Sequence, residues 1–429
     1  MILLKDASLI NEEADCIQHK DVLISDGKIQ KISDTGTDTM QTDEVIDCSR
    51  YYVSPGLPNL HVHTAMNIFK GIAEDVTSDA WFNEMIWPYE SKMTDADIYA
   101  GTLLGIAEMI NNGVTVFADH YFGEEQVLKA VKETGIRADL APTVFGSAPE
   151  FPERLAQVSE FITAHRKDSD RVAFHMGPHA DYTCPEPTLG KIVDEAKKLD
   201  LPIHLHLAEE EGQIIRARKE TGLTPFGILK RAGGFDQKVL VAHGLWIEEE
   251  DLQYLKEDTW FAFCPKTYMK LASGKGGFFE HYNRLNYSFG TDGAASSNTL
   301  NPMEQARLLG LLGKFEGMDA TAFDAKTLWK HMMAGHRAFP FGTGYLKEGS
   351  PADLIIWDLF DMDTFPFYCP VSSILYSSNS QNVKYTMVAG EFLKYDGKLK
   401  MDTKALMEEG ERLQTDLLKR GKGKAEIFF

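Results

Sequence analysis

A chain of 429 residues with 43% apolar and 25% charged residues can bury a large core without disulfide or metal staples, as one large barrel with an appendage or as two to three average domains. Its formal net charge of −20 repels nucleic acid and anionic membranes, which argues against a nucleic-acid binder or a membrane-surface protein. The five scattered cysteines (Cys16, Cys48, Cys184, Cys264, Cys369) fit free thiols in a reducing compartment; with no leader-like N-terminus and no apolar run near about 20 residues, the expected location is the cytoplasm.

In chain order, the opening segment reads as short strands and turns. DVLISDGKIQKIS predicts a hairpin whose two alternating runs meet at Asp26-Gly27, a dipeptide that accepts the positive φ angles of a tight turn. From 56 to 346 the pattern changes, and short β-rich runs alternate with longer helical stretches. The eight runs are YYVSPGLPNLHVH, VTVFADHY, IRADLAPTVF, RVAFHMGPHA, LPIHLHLAE, KVLVAHGLW, TWFAFCP and NYSFGTDG. Amphipathic stretches such as DADIYAGTLLGIAEMINNG and EPTLGKIVDEAKKLDL lie between them, and the glycine of INNG stands where a helix C-cap expects it. This alternation predicts an α/β fold, a (β/α)8 barrel of the TIM type, with an open doubly wound sheet as the alternative. No Gly-x-Gly-x-x-Gly follows an early strand, so the dinucleotide-binding version has no support.

The far end returns to short strands, ADLIIWDL and VKYTMVAGEFLKYDGKLK, with turns at Ala389-Gly390 and Asp396-Gly397. Residues 1–55 and 347–402 are therefore expected to build one small β-sandwich domain from both chain ends, 56–346 the barrel, and 403–429 a polar helical tail. That tail would wrap the outside or meet a partner subunit. Barrels with long acidic helices often associate, so a homo-oligomer is compatible with the pattern.

In such a barrel the chemistry gathers at the C-terminal ends of the strands. LPNLHVHTAM closes the first run with His61 and His63, two apart and so on one face of a strand. His204, His206 and Glu209 close the fifth run, His243 the sixth and Asp292 the eighth. Each has an ordinary explanation on its own: a loop pair, a packed core histidine, a turn aspartate. Together those explanations require four strand ends to be loaded by chance. Imidazole and carboxylate without thiolate suit Zn2+, with Fe2+ or Mn2+ as alternatives, and leave a position open to water. The aromatic stretch MNIFKGIAEDVTSDAWFNEMIWPYE, after the first run, is suited to closing over a flat apolar ring. Ala272–Gly277, ASGKGG, lacks the phosphate-loop pattern and reads as a rim loop.

HVH after PGLPNLH, HLHLAE, AHGLW and GTDGAASSN resemble the amidohydrolase superfamily from the N-terminal strands to about residue 400. More narrowly they are similar to its aminohydrolase branch, which includes methylthioadenosine/S-adenosylhomocysteine deaminases, guanine and cytosine deaminases, and triazine hydrolases. The resemblance implies metal ligation by His61, His63, His206 and Asp292, with Glu209 as proton shuttle. It implies that His243 contacts the hydrolytic water and that Asp292 takes its proton; His204 matches no ligand and is placed behind them. The binuclear branches carry a bridging lysine at the end of the fourth strand, and RVAFHMGPHADYTC has none, so a single metal is implied.

For substrate, Glu90 matches a glutamate that binds ribose hydroxyls, His179 a substrate histidine, and Arg154 one of two arginines that receive a homocysteine carboxylate. Thr143 stands where the second arginine falls, a departure that points away from S-adenosylhomocysteine itself. The implied reaction is hydrolytic deamination of an amino-substituted aromatic heterocycle, an adenosine-type small molecule first. The alternatives are a guanine- or cytosine-type base, a chlorotriazine on the same site, and a non-catalytic scaffold.

Overall fold

Gly56 divides the first long apolar run in two. Before it, Tyr51–Pro55 joins a sheet made by the chain ends; after it, Leu57–Val62 enters the barrel. The backbone passes so close to Thr115 that a Cβ at Gly56 would sit 2.1 Å from its Oγ1. The run reads as one strand in sequence because both halves are apolar; the close approach that separates them involves a residue nearly sixty positions away. The structure, a computed structural model, describes residues 1–37 and 42–425.

The barrel strands are Leu57–Val62, Val114–Tyr121, Arg137–Val144, Val172–Phe174 with Gly177–Pro178, Ile203–Leu207, Val239–His243, Thr259–Phe263 and Asn286–Phe289. They pair in parallel as two arcs, the first four segments and the last four. One seam is closed by bridges Met176–Ile203 and Ala180–His206. At the other, the amides of Thr291 and Asp292 donate to the His61 carbonyl at 2.9 and 3.0 Å. The curled sheet is thus TIM-barrel-like, as the alternation of runs predicts. Helices cover its outside, so Val114–Tyr121 and Arg137–Val144 are buried along their whole length.

The helix Asp95–Asn111 starts at a capping box between Thr94 and Asp97. Its Gly101 and Gly105 lie against Ala65 and Thr64, where added Cβ atoms would come within 2.2 and 2.7 Å. These two glycines let the helix seat the loop that follows His63.

Both chain ends build a nine-stranded mixed sheet in which Tyr51–Pro55 pairs parallel with Ile2–Ile10 and antiparallel with Leu354–Asp358. It has its own small core, with Leu4, Val22 and Ile24 in one cluster with Ile356, Tyr385 and Met387. The predicted tight turns are present: φ is +51° and +73° at Asp26-Gly27, +47° and +75° at Ala389-Gly390, and +44° and +79° at Asp396-Gly397.

A buried ion pair ties this sheet to the barrel. Arg137 Nε and Nη2, on the third barrel strand, donate to Asp353 at 2.7 and 3.2 Å, and Asp353 also accepts from the Ala389 amide. Asp353→Ala leaves a buried guanidinium uncompensated and is expected to cost about 3–5 kcal/mol of unfolding free energy. Urea titration checks this; a loss under about 1 kcal/mol would mean the pair does not join the two parts.

The tail forms the helix Thr403–Arg420, whose Arg420 pairs with buried Asp97 at 2.8 Å. Beyond it, the Lys424 amide donates to Glu84 and Tyr89 Oη donates to the Gly423 carbonyl, so the tail braces the loop after the first barrel strand. The last four residues of the expected tail, 426–429, lie outside the described residues. Among the described residues, no helix is long and apolar enough to cross a membrane.

Candidate metal centre and active site

Alternation along the first barrel strand turns His61 and His63 to one side, and His206 on the fifth strand meets them. One nitrogen from each of the three lies within 4.8 Å of the others. The opposite face of each ring is held. His63 Nδ1 donates to the His120 carbonyl and His206 Nδ1 to the His179 carbonyl at 2.7 Å, while His61 Nδ1 shares a hydrogen bond with His204 Nε2 at 3.0 Å. All three Nε2 atoms are thereby turned inward, where a cation taking the place of the His63 proton would find their lone pairs.

The donor spacings suit a small divalent cation. Arms of about 2.0–2.1 Å at tetrahedral angles place donors about 3.3–3.4 Å apart. Here His63 Nε2 lies 3.2 Å from His206 Nε2, and Asp292 Oδ1 lies 3.2 Å from His63 Nε2 and 3.7 Å from His61 Nε2. His61 Nε2 is buried with no hydrogen-bond partner, an orphaned lone pair that an electrophile would satisfy. His204, the residue sequence reasoning set behind the ligands, stands behind His61.

The electrostatics agree. Burial pushes His61 and His206 well below the ordinary histidine range, so both are neutral. Burial also acts against a charged His63, but the hydrogen bond and charge of Asp292 raise it to about 9. Burial opposes ionisation of Asp292 too, and His63 outweighs it, holding the carboxyl well below its usual range. Without an ion, the proton on His63 and the ionised Asp292 form a neutral pair inside the cage.

A second cluster faces the first: donor atoms of Glu209, His243 and Asp292 lie within 4.8 Å of one another. Glu209 Oε2 is 3.6 Å from His243 Nε2. Burial, then the charge of Asp292, pushes Glu209 up to about 8, so it holds a proton at neutral pH; burial lowers His243 to about 4. Tyr268 Oη accepts from the Cys264 amide and lies 3.3 Å from His243 Nδ1, fixing that ring from behind. Thr267 and Ser296 hydroxyls donate to Asp292 Oδ2 at 3.1 and 2.7 Å.

A pocket opens over both clusters, and His63, His206, Glu209, His243 and Asp292 all line it. Glu90 and His179 line it as well, with Tyr121 Oη donating to Glu90 at 2.7 Å. The loop after the first barrel strand contributes Trp81, Phe82 and Trp87, and Trp81 is anchored to the Ala295 carbonyl. Arg154 is not brought in: its guanidinium is bidentate on Glu124 at 2.7 and 2.9 Å, one layer outside the wall. Sequence reasoning missed His120 and Tyr121, which end the second barrel strand and line the pocket. The strand-end rule that found His61 applies equally to VTVFADHY and would have found them.

The chain matches the Amidohydrolase family over residues 52–393. It is 35% identical to the 5-methylthioadenosine/S-adenosylhomocysteine deaminase of Dictyoglomus turgidum, over 98% of this chain and 99% of that protein. It is 33% identical to the 5′-deoxyadenosine deaminase of Methanosarcina barkeri over the same shares. An adenosine deaminase from Xanthomonas campestris with bound zinc superimposes with a TM-score of 0.92 at 26% identity, covering 97% of this chain and 98% of that one. The fold also matches the zinc-complexed atrazine chlorohydrolase of Arthrobacter aurescens, with a TM-score of 0.88 at 19% identity over 96% of this chain and 100% of that one. The family match spans most of the chain and the curated relatives align end to end: the protein belongs to the amidohydrolase family.

Proposed function

We propose that the protein is a metal-dependent deaminase that hydrolyses the exocyclic amine of an adenosine-type nucleoside. The observation that carries this reading is the facing pair of clusters: three inward imidazole nitrogens with a carboxylate, opposite the Glu209 carboxyl beside His243, under an aromatic roof. The names of the end-to-end relatives support the substrate class.

In this reading His61, His63, His206 and Asp292 hold a single divalent ion, Zn2+ before Fe2+ or Mn2+. The ion supplies Lewis-acid activation of water, lowering its pKa from about 15.7 toward about 7. His243, fixed by Tyr268, orients the water for attack on the ring carbon that bears the amine. Asp292, oriented by the Thr267 and Ser296 hydroxyls on its Oδ2, accepts the water proton. Glu209 gives its proton to the adjacent ring nitrogen as the carbon–oxygen bond forms. The carbon–nitrogen bond then breaks as Asp292 gives the proton it took from water to the departing amine, releasing ammonia, while the adduct's hydroxyl proton passes to Glu209 and restores both carboxyl groups to their starting states. The stacked aromatic roof excludes bulk water from the ring.

Glu90 accepts from Tyr121 and keeps a second oxygen free for ribose hydroxyls, and His179 contacts the base. Glu90→Gln is expected to lower kcat/KM by roughly 10- to 100-fold for nucleosides, the worth of a charge-assisted hydrogen bond. It should leave any turnover of free adenine nearly unchanged. Equal losses on both would remove Glu90 from ribose binding.

The reading is tested by ammonia release from 5′-methylthioadenosine, 5′-deoxyadenosine, adenosine, guanine and cytosine, with chloride release from atrazine in parallel. Ammonia from the adenosine-type nucleosides is the expected result. Chloride release alone, or ammonia only from guanine or cytosine, would replace it, and a metal-free protein inert to all would favour a scaffold.

A further inference from the structure

The wall of the pocket carries no lysine or arginine among the described residues; its ionisable carboxyl groups are Glu90, Glu209 and Asp292. With the reacting ring at Glu209 and the ribose at Glu90, the remaining wall is uncharged and largely aromatic, with Trp87, Phe122, Phe145 and Leu271 beside the polar Thr143 and Tyr182. The Arg154 guanidinium, which touches the wall only at the Thr143 carbonyl, is committed elsewhere. Arg154 spends Nη1 and Nη2 on Glu124 and Nε on the Thr143 carbonyl at 3.1 Å. The hydroxyl of Thr143 is within 3.1 Å of His120 Nδ1 and offers no charge. Arg216 stacks on the Tyr182 ring, 4.8 Å from its centroid, and does not line the pocket.

We infer that the site selects nucleosides whose 5′ substituent is uncharged and apolar, and discriminates against those whose 5′ thioether ends in an amino-acid carboxylate. The inference rests on the deaminase reading above and narrows its substrate class. A methyl or methylthio group moves from water onto aromatic faces, a favourable transfer that sulfur strengthens. A carboxylate entering the same wall sheds its hydration, meets no cation and faces acidic neighbours.

Steady-state kinetics of the metal-loaded protein on 5′-methylthioadenosine, 5′-deoxyadenosine and S-adenosylhomocysteine test this. The two apolar nucleosides are expected to exceed S-adenosylhomocysteine in kcat/KM by roughly 10- to 100-fold, the range of an unmade charge-assisted hydrogen bond. Glu124→Ala, which frees the Arg154 guanidinium, is expected to narrow that ratio; using the ratio cancels any loss of folded enzyme. Comparable kcat/KM on all three overturns the inference alone and leaves the deaminase reading standing. No turnover of any of the three overturns the inference, and inactivity on adenosine as well overturns the deaminase reading with it. A ratio unchanged by Glu124→Ala overturns the part given to the Arg154–Glu124 pair.

Discussion

Glu209→Gln is expected to lower kcat by about 10²–10⁴-fold, the span of general acid–base catalysis, while the purified protein keeps its metal. The change is nearly isosteric and preserves hydrogen bonding, so what it removes is the transferable proton. Glu209 is suited to carry that proton because burial and then the neighbouring Asp292 charge push its carboxyl up to about 8, whereas an ordinary glutamate would be ionised at neutral pH. It lines the pocket beside His243 and belongs to the cluster facing the three imidazole nitrogens. Turnover near wild type, with metal content unchanged by elemental analysis, would remove Glu209 from the shuttle role. Loss of metal along with activity would reassign it as a ligand.

His206→Ala is expected to abolish stoichiometric metal and activity together. Its Nε2 lies 3.2 Å from His63 Nε2, and its Nδ1 is anchored on the His179 carbonyl, so the ring has no other polar task. Residues that merely support metal ligands cost about 10–100-fold in metal affinity when changed, and a direct ligand should exceed that range. Stability supplies a second readout. An ion that binds only the folded state at 100 times its Kd adds about 2.7 kcal/mol. Chelation should therefore lower the Tm of the wild type, and this shift should vanish in His206→Ala. Retention of one equivalent of metal by the variant would move the centre away from these histidines.

These expectations draw unequally on sequence and on structure. The His61/His63 spacing, the loaded strand ends and the dipeptides Asp26-Gly27 and Asp396-Gly397 were legible because each depends on its neighbours in the chain. A strand alternates its faces, and a turn needs its positive φ, whatever lies elsewhere. The aromatic stretch over the pocket was legible as a candidate roof. Its attachment was not, because Trp81 is anchored by Ala295 and Tyr89 by Gly423, both far off in the chain.

Arg154 shows the boundary most clearly. The family resemblance implied an anion receiver there, and its Nε reaches the carbonyl of the pocket-lining Thr143. What decides its role is Glu124, 30 positions earlier, which takes both ends of the guanidinium. Glu209 shows the converse: the family resemblance of HLHLAE implied a shuttle there, but its held proton comes from burial and from the Asp292 carboxylate after the eighth strand. The sequence by itself determined the periodic barrel, the tight turns and the set of donors at strand ends. Only the tertiary structure decided which donors share a centre, which charges are already neutralised and which protons stay on, because desolvation and Coulomb forces act through space between residues the chain leaves far apart.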